Sequence, residues 1–172
     1  DYTHDGKADF GAIVDLGAGN SALTISASTG AGLSGPVQVL YLGGFSFAGI
    51  KYVTGDFNHD TWQDIAFLRD FGSFTNVATF LNTGSGFVLD NAHSVNLWSW
   101  NWSQLTPLAG DFDGNGWSDI GYMRQTNVGG VEYAVQLNTG VSFLAPVVWQ
   151  TNNSWGYTGM RPFSGNYNAD IT

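Results

Sequence analysis

Of the 172 residues, 43% are hydrophobic and only 11% are charged, which is enough apolar surface for a packed core and rules out a disordered tail. Fourteen acids against five bases give a net charge of −9, which argues against a nucleic-acid partner, because nucleic acid is met with a basic surface. Without cysteine there is no disulfide or thiol chemistry, and no stretch is long and apolar enough to span a membrane as a helix.

The residue types favour strands and tight turns: 24 glycines, with many Thr, Val, Asn and aromatic residues. From the N-terminus, an acidic stretch from Asp1 to Asp9 leads to predicted strands over 10–15, 22–27 and 37–42, with a Ser28-Thr29-Gly30 turn before the last. A second acidic stretch, Asp56 to Asp64, leads to strands over 65–69, 77–81 and 87–89, with Asn82-Thr83-Gly84 as the turn, and to a return strand over 105–109. A third, Asp111 to Asp119, leads to strands over 120–124, 133–137 and 145–149, with the turn at Asn138-Thr139-Gly140. Short apolar runs bounded by Gly and Asn read as hairpin-linked strands, and helical spacing is sustained nowhere. The three acidic stretches start 55 residues apart. Four strands in such a period is the size of one β-propeller blade. The expected fold is therefore all-β. About three four-stranded antiparallel units, 1–55, 56–110 and 111–165, precede the start of a fourth at 166–172, in an open array or as part of a larger propeller.

Ten of the 14 acids fall inside the repeated loops, which scattered surface acids would not do. Calcium takes six to eight oxygen ligands. Oxygen side chains at loop positions 1, 3, 5 and 9, with the carbonyl of position 7, form such a set. The second site would use Asp56, Asn58, Asp60, Asp64 and the carbonyl of Trp62. The third would use Asp111, Asp113, Asn115, Asp119 and the carbonyl of Trp117. The first has Asp1, Thr3, Asp5, Asp9 and the carbonyl of Lys7, and Thr3 makes it the weaker binder. The fourth, with Asn166, Asn168 and Asp170, is incomplete. Position 6 is glycine at Gly6 and Gly116, which eases the turn, whereas Thr61 predicts strain in the middle loop. An EF-hand is excluded, because position 12 is Ala12, Phe67 or Tyr122 instead of Glu and the flanks are strands. Magnesium, which keeps more of its waters, fits such an all-protein cage less well. The alternative without metal is a set of Asp/Asn-rich turns.

The pattern Asp-x-Asp-x-Asp-Gly-x-x-Asp, then a strand, then Asn-Thr-Gly and an aromatic, resembles the FG-GAP or VCBS repeat, and the resemblance covers essentially the whole chain. It implies calcium-bearing propeller blades of the kind found in integrin α-chains and bacterial extracellular proteins. That setting suits weak extracellular calcium sites, with dissociation constants of about 10⁻⁴–10⁻³ M. The motif says little about the ligand, since the family hosts adhesins, lectins and enzyme appendages.

A second in-phase feature is a pair of aromatics: Phe45 and Phe47, Trp100 and Trp102, Trp155 and Tyr157. Six residues after the first of each pair stands Lys51, Thr106 or Arg161. One reading is carbohydrate recognition by Trp100, Trp102, Trp155, Tyr157 and Arg161, with rings stacking on sugar faces. Trp-with-Arg segments of this kind occur in the propeller lectins that carry the resembling repeat. The other reading is packing between sheets, where each ring buries about 150–250 Å². Trp98, Trp100 and Trp102 share a strand parity, which predicts a tryptophan ladder on one face of 97–103. Asn101 and Asn152 begin N-glycosylation sequons. His4, His59 and His93 form no zinc pattern, and His4 and His59 are expected to point away from the ion. No nucleophile–base pair or phosphate loop is visible.

The sequence thus points to a non-enzymatic, calcium-stabilised extracellular module for recognition or adhesion. Its expected partners are a glycan or a cell-surface protein, without nucleic acid or membrane insertion. Two alternatives stand beside it: a structural filament component of tandem units, and a non-catalytic appendage of a polysaccharide-active enzyme. The loop at 166–172 repeats the phase of 1–7, which suggests a larger propeller or units continuing from chain to chain, with self-association through open ends.

Overall fold

A computed structural model describes residues 1–165; the expected fourth loop, with Asn166, Asn168 and Asp170, lies outside them. The all-β expectation holds. Eleven strands form three antiparallel sheets among the described residues. Sheet 1 contains β1 (Phe10–Gly17), β2 (Asn20–Ser26) and β3 (Val37–Leu42). Sheet 2 contains β4 (Ile50–Gly55), β5 (Asp64–Asp70), β6 (Phe74–Asn82) and β7 (Phe87–Trp98). Sheet 3 contains β8 (Leu105–Gly110), β9 (Asp119–Gln125), β10 (Val131–Gln136) and β11 (Val147–Asn152).

At the second and third acidic loops, the strand that precedes the loop pairs with the strand that follows it. Gly55 lies opposite Asp64, and Gly110 opposite Asp119. The return strand therefore starts the next sheet, so the sheets straddle the sequence units by one strand. The acidic loop is a hairpin connection, closed where Asp64 Oδ2 accepts the Phe57 N–H at 2.9 Å and Asp119 Oδ2 the Phe112 N–H at 2.8 Å. Sheet 1 has three strands where four were expected.

Sheet 2 is the middle layer, and its sequence reflects that. All of Ile65, Ala66, Phe67 and Leu68 are buried, because alternate side chains enter different cores. Ile65, Phe67, Ala78 and Phe80 pack with Leu23, Ile25, Leu42 and Phe45 towards sheet 1. Val53, Ala66, Leu68 and Val77 pack with Leu105, Ile120, Tyr122 and Phe143 towards sheet 3.

Two local expectations are corrected. The strand expected over 87–89 runs to Trp98. A bulge against β6 between Val77 and Thr79 lets it continue, with Ser94 Oγ accepting the Thr79 N–H at 3.0 Å. The tryptophan ladder does not form. β7 stops at Trp98, Ser99 turns the chain with φ +64°, and Trp102 begins a short 3-10 turn, Trp102–Gln104.

Candidate functional site

The acidic loops share one geometry. Position 1 sits inside the turn and accepts its N–H groups. Asp111 Oδ1 takes Gly114 N at 2.8 Å and Asn115 N at 3.1 Å, and its Oδ2 takes Gly116 N at 2.9 Å. Asp56 holds the Asp60 and Thr61 N–H groups, and Asp1 those of Asp5 and Gly6. Positions 4 and 6 are left-handed: His4, His59 and Gly114 at one, Gly6, Thr61 and Gly116 at the other. Thr61, at φ +74°, carries the strain expected of a β-branched residue there.

Position 9 ties the loop to the turn that follows β2, β6 or β10. Asp64 Oδ1 accepts Asn82 N at 2.8 Å, Asp119 Oδ1 accepts Asn138 N at 2.7 Å, and Asp9 Oδ1 accepts Ser28 N at 2.8 Å. These turns in turn hold the preceding loop. Asn138 Nδ2 donates to the Phe57 and Ser118 carbonyls at 2.8 and 3.1 Å, and Asn82 Nδ2 donates to the Tyr2 carbonyl at 2.9 Å. His93 closes the same junction, with one ring nitrogen 3.1 Å from Asn138 Oδ1 and the other 2.5 Å from Asp90 Oδ2. The loop histidines join neighbours as well. His4 stacks on Trp62 at 4.8 Å, and His59 lies against Trp117 with Nδ1 2.8 Å from the Gly116 carbonyl. Successive acidic loops are therefore a connected row.

The loops differ as cation sites. Asp111, Asp113 and Asp119 place carboxylate oxygens within 4.8 Å of one another, and this group can hold a metal ion. Three hard oxygens suit a hard divalent cation. The buried Asp119 carboxyl is pushed up by burial and then by the charges of Asp113 and Asp111. Asp64, fully buried, is pushed up to about 7 by burial, with Asp60 and Asp56 adding to it. Both arrangements disfavour the anions until a cation offsets them. In loop 2 position 3 is Asn58, whose Nδ2 donates to Asp60 Oδ2 at 2.8 Å. In loop 3 Asn115 Oδ1 accepts the Trp117 N–H, as Asp60 Oδ1 accepts that of Trp62. Loop 1 supplies its own cation: Lys7 Nζ lies 2.7 Å from Asp5 Oδ2, and this hydrogen bond holds the Asp5 carboxyl below its usual range. Thr3 meanwhile bonds to Asp9 Oδ2 through both its N–H and its hydroxyl.

The paired aromatics stand at the junctions between sheets. Phe45 is buried beneath the Arg69 guanidinium, 3.8 Å from its ring centre, and Arg124 covers Trp100 in the same way at 4.5 Å. In the second and third pairs the second aromatic faces the polar residue of the preceding repeat. Lys51 Nζ lies 4.1 Å over the Trp102 ring and donates to the Trp102 and Leu105 carbonyls, and Tyr157 Oη is 2.7 Å from Thr106 Oγ1. Trp102 Nε1 donates to the Leu68 carbonyl. Trp155 is 59% exposed, and Arg161 is exposed with Nη1 on the Met160 carbonyl.

Between sheets 2 and 3 opens a groove of about 460 Å³ that the aromatic pattern alone did not locate. Trp98, Trp100 and Asn96 line one side, and Gln136, Leu144 and Pro146 the other. Trp98 is exposed, propped by Phe74 at 4.6 Å, and Trp100 is half-buried on Tyr122. A smaller polar cleft of about 160 Å³, lined by Ser99, Gln104, Arg124, Asn127 and Glu132, adjoins it. Asn96 belongs to the polar cluster that the sequence places beside the paired aromatics, whereas Gln136 carries no signature that would have marked it.

No protein-family model matches the chain, and no curated protein does. A solved structure shares its fold, with a TM-score of 0.55 at 20% identity. That structure is a lectin. It comes from Agrocybe aegerita and is described as specifically recognising non-reducing terminal N-acetylglucosamine. The match covers 84% of this chain and 40% of the lectin, so the chain corresponds to less than half of that protein.

Proposed function

We propose that this chain is a non-enzymatic glycan-recognition module of the FG-GAP or VCBS kind. Its sheets act as propeller blades, and calcium in the acidic loops stabilises them in an extracellular setting. The observation that carries this reading is the groove between sheets 2 and 3. An exposed indole at Trp98 beside the half-buried Trp100 offers a stacking face, and Asn96 with the neighbouring polar cleft offers hydrogen-bonding groups for hydroxyls. A sugar ring needs that combination of an apolar face and fixed polar partners. The shared fold with an N-acetylglucosamine lectin supports glycans as the ligand class and supplies the first probe. Calcium is supported by the oxygen-only ligand set of the third loop and by the raised carboxyls of Asp64 and Asp119.

A glycan array probed with the wild type and with Trp98→Ala tests the reading, starting from glycans that end in N-acetylglucosamine. Binding by the wild type and at least tenfold weaker binding by the variant, with an unchanged circular dichroism spectrum, is expected. Absence of binding to every glycan, or binding that is indifferent to Trp98 and to Trp100→Ala, sinks it.

A further inference from the structure

The last two strands of each sheet end on a facing pair of residues, and their register shows which residues correspond. Ser21 lies opposite Leu42 in sheet 1, Thr75 opposite Leu97 in sheet 2, and Val131 opposite Asn152 in sheet 3. A shared hydrogen bond supports the match of the first two: Ser21 Oγ donates to the Phe45 carbonyl, and Thr75 Oγ1 to that of Trp100. One step further out stand Asn20 with Gly43, Phe74 with Trp98, and Gly130 with Asn153. The third pair is so close that a Cβ on Gly130 would meet the Asn153 side chain at 2.6 Å. Two of the three sheets thus end on small or polar residues, so the fold itself does not require rings at this place.

In sheet 2 the pair carries a stack. Phe74 lies opposite Trp98 in the strand register, with ring centres 4.6 Å apart. Phe71 lies parallel to Phe74, 5.0 Å away with 1° between the planes. The tight turn between β5 and β6 sets that geometry. Phe71 N–H donates to the Phe74 carbonyl at 3.1 Å, and Gly72, at φ +76°, donates its N–H to Asp70 Oδ1 at 2.8 Å. The Arg69 guanidinium lies 4.8 Å over Phe71 and 3.8 Å over Phe45, and its Nη2 donates to the Gly44 carbonyl at 3.1 Å. The stack therefore runs from the junction of sheets 1 and 2 to the groove between sheets 2 and 3, where Trp98 ends it. Its counterpart on sheet 3, Arg124, covers Trp100 but pairs with Glu132, and the turn over 125–130 has no aromatic ring.

Phe71 and Trp98 are 48% and 66% exposed, so the stack covers no core. A tryptophan that exposed, at the end of an edge strand, would otherwise turn among its rotamers, and a ligand would have to fix it on binding. We propose that Phe74, Phe71 and Arg69 are positioning residues for glycan recognition: the stack fixes the Trp98 indole before a sugar ring arrives. This role rests on the glycan reading of the groove. Losing the stack restores the cost of ordering the indole, which weakens binding while every group that touches the sugar stays in place.

Titration calorimetry with di-N-acetylchitobiose, beside fluorine NMR of protein carrying fluorinated tryptophan, tests this. Trp98→Phe identifies the Trp98 resonance by its loss. In the wild type that resonance should be a single line, displaced from free fluorotryptophan by the Phe74 ring. Phe74→Leu keeps apolar bulk without the flat ring. It should move the line towards the free position and weaken binding by about three- to tenfold, with unchanged circular dichroism. Phe71→Leu should do both to a smaller degree, and Phe74→Tyr, which restores the ring, should recover line and affinity together. A Trp98 line that Phe74→Leu leaves in place overturns the positioning role. So does unchanged affinity in Phe74→Leu where Trp98→Ala loses binding, and that outcome leaves the glycan reading standing. A wild type that binds neither this probe nor any glycan of the array overturns both.

Discussion

At the scale of single residues, the junction between loops rests on side chains whose partners lie one repeat away. Asn138 is fully buried and has every polar group engaged: its amide nitrogen on the Phe57 and Ser118 carbonyls, its oxygen on the Gly140 N–H and the His93 ring. Asn138→Ala should therefore lower stability by about 2–4 kcal/mol in urea titration, since several buried groups lose partners at once. A loss within experimental error would mean that the junction tolerates open polar groups. Asp64 predicts a pH dependence. Its folded pKa lies at about 7, above the 3.8 of an ordinary Asp, so the folded state binds the proton more tightly than the unfolded chain. In chelator, the stabilising contribution is complete below about pH 4 and is lost as the pH rises towards 7. Melting temperature measured from pH 4 to 8 with chelator should fall across that window, and calcium should flatten the profile. The strain at Thr61 was legible in the sequence because it follows from one residue type in one loop position. The Asn138 clamp was not, because an Asn-Thr-Gly turn reads identically whether or not its side chain reaches into the loop before it.

At the scale of strands and turns, the period itself was legible, and so were most strand positions, because Gly and Asn punctuate short apolar runs. The grouping of strands into sheets was not. A 55-residue repeat can be cut anywhere along its length, and only the pairings of Gly55 with Asp64 and of Gly110 with Asp119 show that sheets 2 and 3 begin before their acidic loops. The extent of β7 was hidden for a related reason, since the bulge at Val77 and Thr79 breaks the alternation that marks a strand. The aromatic pairs show how one pattern serves two surroundings. Within the chain, Trp102 and Lys51 stitch sheet 3 to sheet 2, while Trp98, outside the repeated pair, faces the groove. Lys51 is half-buried, and burial lowers its pKa, but its ammonium still meets two carbonyls and an indole. Lys51→Met keeps the apolar stem and removes the donors. It should cost about 1–3 kcal/mol, the usual penalty for leaving buried carbonyls unmet, read by chemical denaturation. Lys51→Arg, which keeps the charge and the ring contact, should recover part of that loss.

At the scale of the whole molecule, stability in a row of repeats is close to a sum of unit and interface terms, so a ligand held at the loops acts on the array as a whole. The loops lie in contact from one sheet to the next through His4 and Trp62, then His59 and Trp117. If the loops take calcium as proposed, the ion at about 2 mM and a dissociation constant of about 10⁻⁴ M would stabilise a folded site by about 2 kcal/mol. Loops 2 and 3 together should then raise the melting temperature by on the order of 10 °C over a chelated sample. Loop 1 should add little, because Lys7 already neutralises Asp5. The variants separate these contributions. Asp111→Asn should remove about half of the calcium shift, whereas Asp5→Asn should leave most of it. Lys7→Ala should enlarge the shift, since it frees the Asp5 carboxylate for the ion. Scanning calorimetry of the four proteins, each with chelator and with calcium, reads all of this in one series. Equal melting temperatures in both buffers for the wild type would reduce the acidic loops to hydrogen-bonded turns that stand without metal. A shift in the wild type that survives Asp111→Asn intact would move the ion away from the third loop.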